Sequence, residues 1–89
     1  MATISGDILA RYAGDAARGV DGVGRLARRR PARITEEYGL VTVELHIGVQ
    51  WGTSIPAVGL AVQEHVRDYL TRMADLERVI VNVVVDEVA

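Results

Sequence analysis

Apolar and polar positions change period four times along the chain, and each change marks an element. From Ile8, apolar residues recur at helical spacing through Leu9, Tyr12, Ala13, Ala16, Ala17 and Val20. Ser5 stands where an N-cap belongs, and Asp7 suits the first turn of a helix starting at Gly6 or Asp7. The alanines flatten one face for close packing on a sheet, and Gly19 and Gly22 end the helix. Residues 24–32 carry no period, and Pro31 closes that loop. Residues 33–37 read as a short strand, followed by a hairpin turn at Tyr38-Gly39.

The clearest pattern follows. Val41, Val43, Leu45, Ile47, Val49 and Trp51 alternate with Thr42, Glu44, His46, Gly48 and Gln50. Such alternation predicts a long strand with one buried and one polar face, and its length places it centrally. Thr53 or Ser54 caps a second helix, in whose first turn Pro56 is tolerated. Its apolar stripe is Ile55, Val58, Val62, His65, Val66, Tyr69, Leu70 and Met73; Gln63, Glu64, Arg67, Asp68 and Arg72 lie opposite. A last strand turns Val79, Val81, Val83 and Val85 one way and Ile80, Asn82, Val84 and Asp86 the other. The second of these faces is half apolar. With a vestigial first strand at Ala2–Ile4, the order is (β)αββαβ. The expected fold is α+β: a two-layer sandwich with both helices on one face of a small mixed sheet.

Composition narrows the chemistry. Eighty-nine residues make one small domain, read as 1–89, with a modest core. There is no cysteine, hence no disulfide, thiolate metal site or cysteine nucleophile. The opening MATISGD lacks a signal-peptide pattern, and no apolar run approaches the ~20 residues of a spanning helix. A cytoplasmic domain is the expectation. All ten basic residues are arginine, and the formal net charge is -2. The chain is therefore not a general polyanion binder.

Five arginines nevertheless crowd the loop at 24–32 and its exit: Arg25, Arg28, Arg29, Arg30 and Arg33. They are candidate contacts for an anion or a partner. A solvated loop is the simpler reading, and no aromatic is interleaved for base stacking. Nucleic acid ranks below an acidic protein or an anionic membrane surface, because the net charge is negative. The glycines of GVDGVG follow a helix instead of a strand, so a helix-ending turn outweighs a phosphate cradle.

No catalytic set emerges. His46 and His65 are expected in different layers, His65 as a helix–sheet boundary residue, and a metal would need further convergent ligands. Ser54 reads as a cap, and Glu36 and Glu37 point to opposite faces of a strand. No enzyme activity, cofactor, metal or small-molecule substrate is expected.

Four segments carry a likeness to a known family. ISGDILARYAGDAARGVDGV, LVTVELHIGVQWG, SIPAVGLAVQEHVRDYL and MADLERVIVNVVVDEV occur in an order that resembles the alkaline shock protein family, the envelope stress response proteins of Gram-positive bacteria. The shared features are an I-S start and a V-x-G-V close to the first helix, and the aromatic-glycine pair Trp51-Gly52. An I-P-x-V helix with Gln63 at its middle and a valine-rich last strand complete them. Ala74-Asp75 departs from the family's usual Thr-Gly, and the Arg-rich loop falls where members vary most. The resemblance implies a non-enzymatic protein, cytoplasmic or held at the inner face of the membrane through a membrane-anchored partner. A protein partner or self-association is the expected mode of action, and Ile80 and Val84 are the candidate self-association face.

Overall fold

Five elements follow in the order α1 (Gly6–Arg18), β1 (Ala32–Glu37), β2 (Leu40–Val49), α2 (Ile55–Met73) and β3 (Val79–Val88). The computed structural model describes residues 5–24, 26 and 30–89. The expected strand at Ala2–Ile4 lies outside them. The helix starts are those the caps dictate. Ser5 Oγ accepts from the Ile8 N–H and Ser54 Oγ from the Ala57 N–H, each at 3.3 Å, satisfying donors that have no intrahelical partner.

The sheet order is β1-β2-β3, with β1 antiparallel and β3 parallel to β2, so the long alternating strand is central as expected. A two-residue turn at Tyr38-Gly39 joins β1 to β2, both residues at positive φ (51° and 77°), which matches the twist of the strands it links. Parallel strands need a crossover connection, and α2 supplies it between β2 and β3. Both helices pack on one face of this mixed sheet. The α+β sandwich expected from the pattern is the fold observed.

The core is aliphatic. Val41, Val43, Leu45, Ile47 and Val49 project from the inner face of β2, and Val58, Val62, Val66 and Leu70 from α2 close over them. From α1 come Leu9, Ala13, Ala16 and Ala17, all buried. The alanines bring α1 close, and Tyr12 meets Tyr69 of α2 edge to face, ring centres 6.1 Å apart.

Three positions depart from the periodic reading. Trp51 lies beyond the end of β2 and is 83% exposed, because the chain has already turned toward Gly52 (φ 88°). His65 is exposed on α2 and is not a boundary residue; the buried line of the helix runs through Val58, Val62, Val66 and Leu70, and His65 falls to its side. Gln63, read as part of the solvated face, is half-buried and bonded to the sheet.

Candidate interaction surface

The glycine-rich segment is built into the sheet. Where β1 ends, residues 22–24 take over the same edge of β2: Val23 forms an isolated antiparallel bridge with Val49, and the Gly24 N–H donates to the Gly48 carbonyl at 2.9 Å. The Gln50 N–H donates to the Gly22 carbonyl at 2.8 Å. Gly22 is required here, since its φ is +93° and a Cβ would lie 2.6 Å from Val58 Cγ2. The Val23 and Gly24 N–H groups are spent on Val20 and Gly48, so they do not form a phosphate cradle.

The face of the sheet turned away from the helices carries the polar chemistry. Register places Thr35, Thr42 and Ile80 in one row and Arg33, Glu44 and Asn82 in the next; His46 lies beside Val84. At the end of this face the pairing slips. Ile47 is opposite Val85 but Gly48 is opposite Glu87, so Asp86 is an extra residue in β3. The bulge aims the Asp86 carboxylate back at His46, 3.1–3.2 Å from Nδ1, while Glu44 Oε2 lies 3.0 Å from Nε2. Both contacts are hydrogen bonds at once only when both ring nitrogens carry protons. This bridge ties β2 to β3 across residues forty apart in sequence. The carboxylates sit at opposite ends of the ring and do not converge on one point. Among the described residues no group of three or more histidine, aspartate or glutamate side chains could hold a metal ion.

Of the candidate residues, Ile80 (46% exposed) and Val84 (38% exposed) stand on this outer face, with Asn82 between them. Arg33 shares the face through its pairing with Glu44. Arg30 and Arg33 also border a groove of about 820 Å³ beside α1, where Arg11 and Arg18 join them together with Asp7 and Asp15. Arg18 is held by Asp15 at 2.7 Å. Arg25, Arg28 and Arg29 lie outside the described residues. Sequence reasoning missed Arg11 and Arg18 as neighbours of the loop. Their spacing of seven on α1 was the available signal, being two turns on one face. Ser54 is a cap, as read, and His46 and His65 lie on separate layers.

Gln63 adds a contact that no periodicity announces. Its side-chain N–H donates to the Val81 carbonyl of β3 at 3.1 Å, tying the middle of α2 to the edge strand. Among the described residues, no helix is long and apolar enough to cross a membrane.

Comparison with known proteins places this architecture. Among solved structures, a MamM CTD variant with a histidine and a glutamate each replaced by alanine is 17% identical, at TM-score 0.59. The match covers 91% of this chain and 96% of that one. A MamM CTD variant with aspartate replaced by asparagine, in its nickel form, is also 17% identical, at TM-score 0.59 and coverages of 91% and 99%. A methionine-to-leucine MamM CTD variant is 18% identical, at TM-score 0.58 and coverages of 89% and 95%. At such identities the likeness is one of fold. No curated protein matches the chain in sequence. The profile of the alkaline shock protein family, described by its "cell envelope-related function", matches residues 32–89, which hold the whole sheet, α2 and the His46 bridge. With the features already noted in its four segments, the chain belongs to the alkaline shock protein family.

Proposed function

We propose that this protein is a non-catalytic interaction or scaffold domain of the cell-envelope stress response, working by self-association or by docking a protein partner on the outer face and edge of β3. The observation that carries the reading is the exposure of Ile80 and Val84, either side of Asn82 on the same face of a strand that, among the described residues, has no neighbour beyond it. A β-branched apolar pair facing water next to an open sheet edge is a surface that gains by being covered. The family's envelope-related description supports a place at the cell boundary. A peripheral position at the inner face of the membrane, reached through an anchored partner, fits that description.

Sedimentation over a wide concentration range tests the reading. Wild-type protein is expected to associate with rising concentration, or to form a complex with a partner captured from its own cell, and Val84→Lys to abolish either. A protein that stays monomeric and partnerless, with Val84→Lys changing nothing, would falsify it.

A second reading rests on the groove shared by Arg11, Arg18, Arg30 and Arg33. Four guanidinium groups around one depression favour an anionic surface, although Asp7 and Asp15 offset part of the charge. Binding to anionic vesicles that weakens steeply with salt, and is lost in Arg30→Ser/Arg33→Ser, supports this reading; equal binding to neutral vesicles counts against it. The same assay with DNA separates a lipid surface from nucleic acid.

A further inference from the structure

The edge strand opposite β3 has an unclaimed backbone. The His46 N–H donates to the Pro31 carbonyl at 2.8 Å, so Pro31 faces β2. Polar groups of a strand alternate sides, so Arg33, Thr35 and Glu37 also face β2, while the N–H and C=O groups of Ala32, Ile34 and Glu36 face away from the sheet. Among the described residues, none of these outward groups has a hydrogen-bond partner. The groove of about 820 Å³ runs along this edge. Residues 31–34 line it without a gap, and consecutive strand residues point to opposite faces, so the edge itself forms one wall. Gly6 and Ala10 of α1 line the other side and keep that wall low.

The charge of the groove is unbalanced at the same place. Arg18 is held by Asp15 at 2.7 Å, and Glu44 lies 3.0 Å from His46. Among the described residues, Arg11, Arg30 and Arg33 take part in no ion pair, and the remaining residues of the chain contain no aspartate or glutamate. Of the acids that line the groove, this leaves Asp7 against the guanidinium groups of Arg11, Arg30 and Arg33. The far end of the strand is the reverse, with Glu36 and Glu37 both exposed. We infer that the groove between α1 and β1 binds an extended segment of a partner protein, which adds a strand to the free edge of β1 and lays acidic side chains against Arg11, Arg30 and Arg33.

This inference rests on the interaction reading above and seats a protein partner at the opposite edge of the sheet. A lipid surface or a nucleic acid offers phosphates to the arginines, but no row of N–H and C=O groups for Ala32, Ile34 and Glu36. Asp7 and the Glu36-Glu37 end also repel a uniformly anionic surface, whereas a peptide can carry its acids at one end alone. Arg11 comes from the helix side and Arg33 from the outer face. Adjacent acids on an added strand point to opposite faces and so reach one arginine each. Main-chain pairing supplies affinity in this mode, and the charges beside the edge select the sequence. The segment that fits is acidic toward the Pro31 end of β1 and neutral or basic toward the Tyr38 end.

A phage-displayed library of random peptides about eight residues long, selected on the full chain, tests this. Selected peptides should carry aspartate or glutamate at one end and basic or uncharged residues at the other. One of them, synthesised, should slow amide exchange at Ala32, Ile34 and Glu36 by about tenfold and leave Arg33 and Thr35, already bonded to β2, unchanged. Glu36→Pro deletes an outward N–H without touching the ladder to β2, and should weaken binding about fivefold relative to Glu36→Gln, which keeps it. Arg11→Ser/Arg33→Ser should weaken binding about tenfold. Circular dichroism checks that each variant is folded; where Glu36→Pro is not, the exchange pattern decides. A peptide that binds through the arginines without slowing exchange at Ile34 and Glu36 overturns the strand addition. A library that yields no peptide dependent on Arg11 and Arg33 overturns the proposal, whether anionic vesicles, DNA or a second copy takes the groove instead. In that event, association abolished by Val84→Lys leaves the interaction reading standing, and a protein that stays monomeric and partnerless removes both.

Discussion

The two faces of the same strands behave as different materials. On the inner face of β2, Val41, Val43, Leu45, Ile47 and Val49 are sealed beneath two helices, and nothing there depends on a particular partner. On the outer face, Thr42, Glu44 and His46 alternate with them one residue away, and their neighbours were selected by register and by a single bulged residue. The inner face is held by non-directional burial, so many aliphatic residues would serve. The outer face relies on directed contacts, such as His46 between Glu44 and Asp86, and leaves Ile80 and Val84 uncovered. Stability is concentrated on one side of the sheet, and the other side is the proposed recognition surface.

That contrast can be broken most severely from the inside. Leu45→Ala leaves a cavity between β2 and the helices and is expected to cost about 2–5 kcal/mol in denaturant unfolding. If the loss is below about 1 kcal/mol, the inner face is not the sealed core described. The adjacent outward residue gives a smaller effect. His46→Ala removes both bridging contacts between β2 and β3, at an expected cost of about 1–2 kcal/mol, limited because Glu44 is half exposed. A loss indistinguishable from zero would contradict the bridge.

Gln63→Ala tests the tie between the layers at the edge. The Val81 carbonyl can turn to water, so the expected loss is only about 0.5–1 kcal/mol. A loss as large as that of Leu45→Ala would mean that the edge is far drier than its exposure indicates. The smallest effect belongs to the outer apolar pair. Val84→Thr keeps the branched shape and should change the monomer's unfolding free energy by less than about 0.5 kcal/mol while weakening self-association. Loss of folding with no change in association would reverse the assignment of the two faces.

Much of this arrangement could be read from residue order, and the exceptions share a cause. Alternation in LVTVELHIGV marked β2, and the cap serines marked both helix starts, because each signal is local. Trp51 continued the alternation in letters after the backbone had turned, since period-two patterning does not record where a strand stops. His65 sits at a helical spacing that fits the stripe, but the packing of the folded helix decides whether that flank is covered. Gln63 looked like a solvent residue, and only the position of β3 gives its amide a carbonyl to hold. The candidate surface was half legible. Ile80 and Val84 followed from the pattern of the last strand, whereas the His46 bridge and the groove joining Arg11 to Arg30 required the folded chain.

The order of residues alone determined the five elements and their inward faces, because hydrophobic period, capping and turn chemistry act over a few neighbouring residues. The tertiary structure alone decided which distant side chains meet. The parallel register of β2 with β3 and the bulge at Asp86 place a carboxylate against an imidazole forty residues away. Register arises from the packing of whole strands against the helices, and a shift of one residue would turn each side chain to the opposite face.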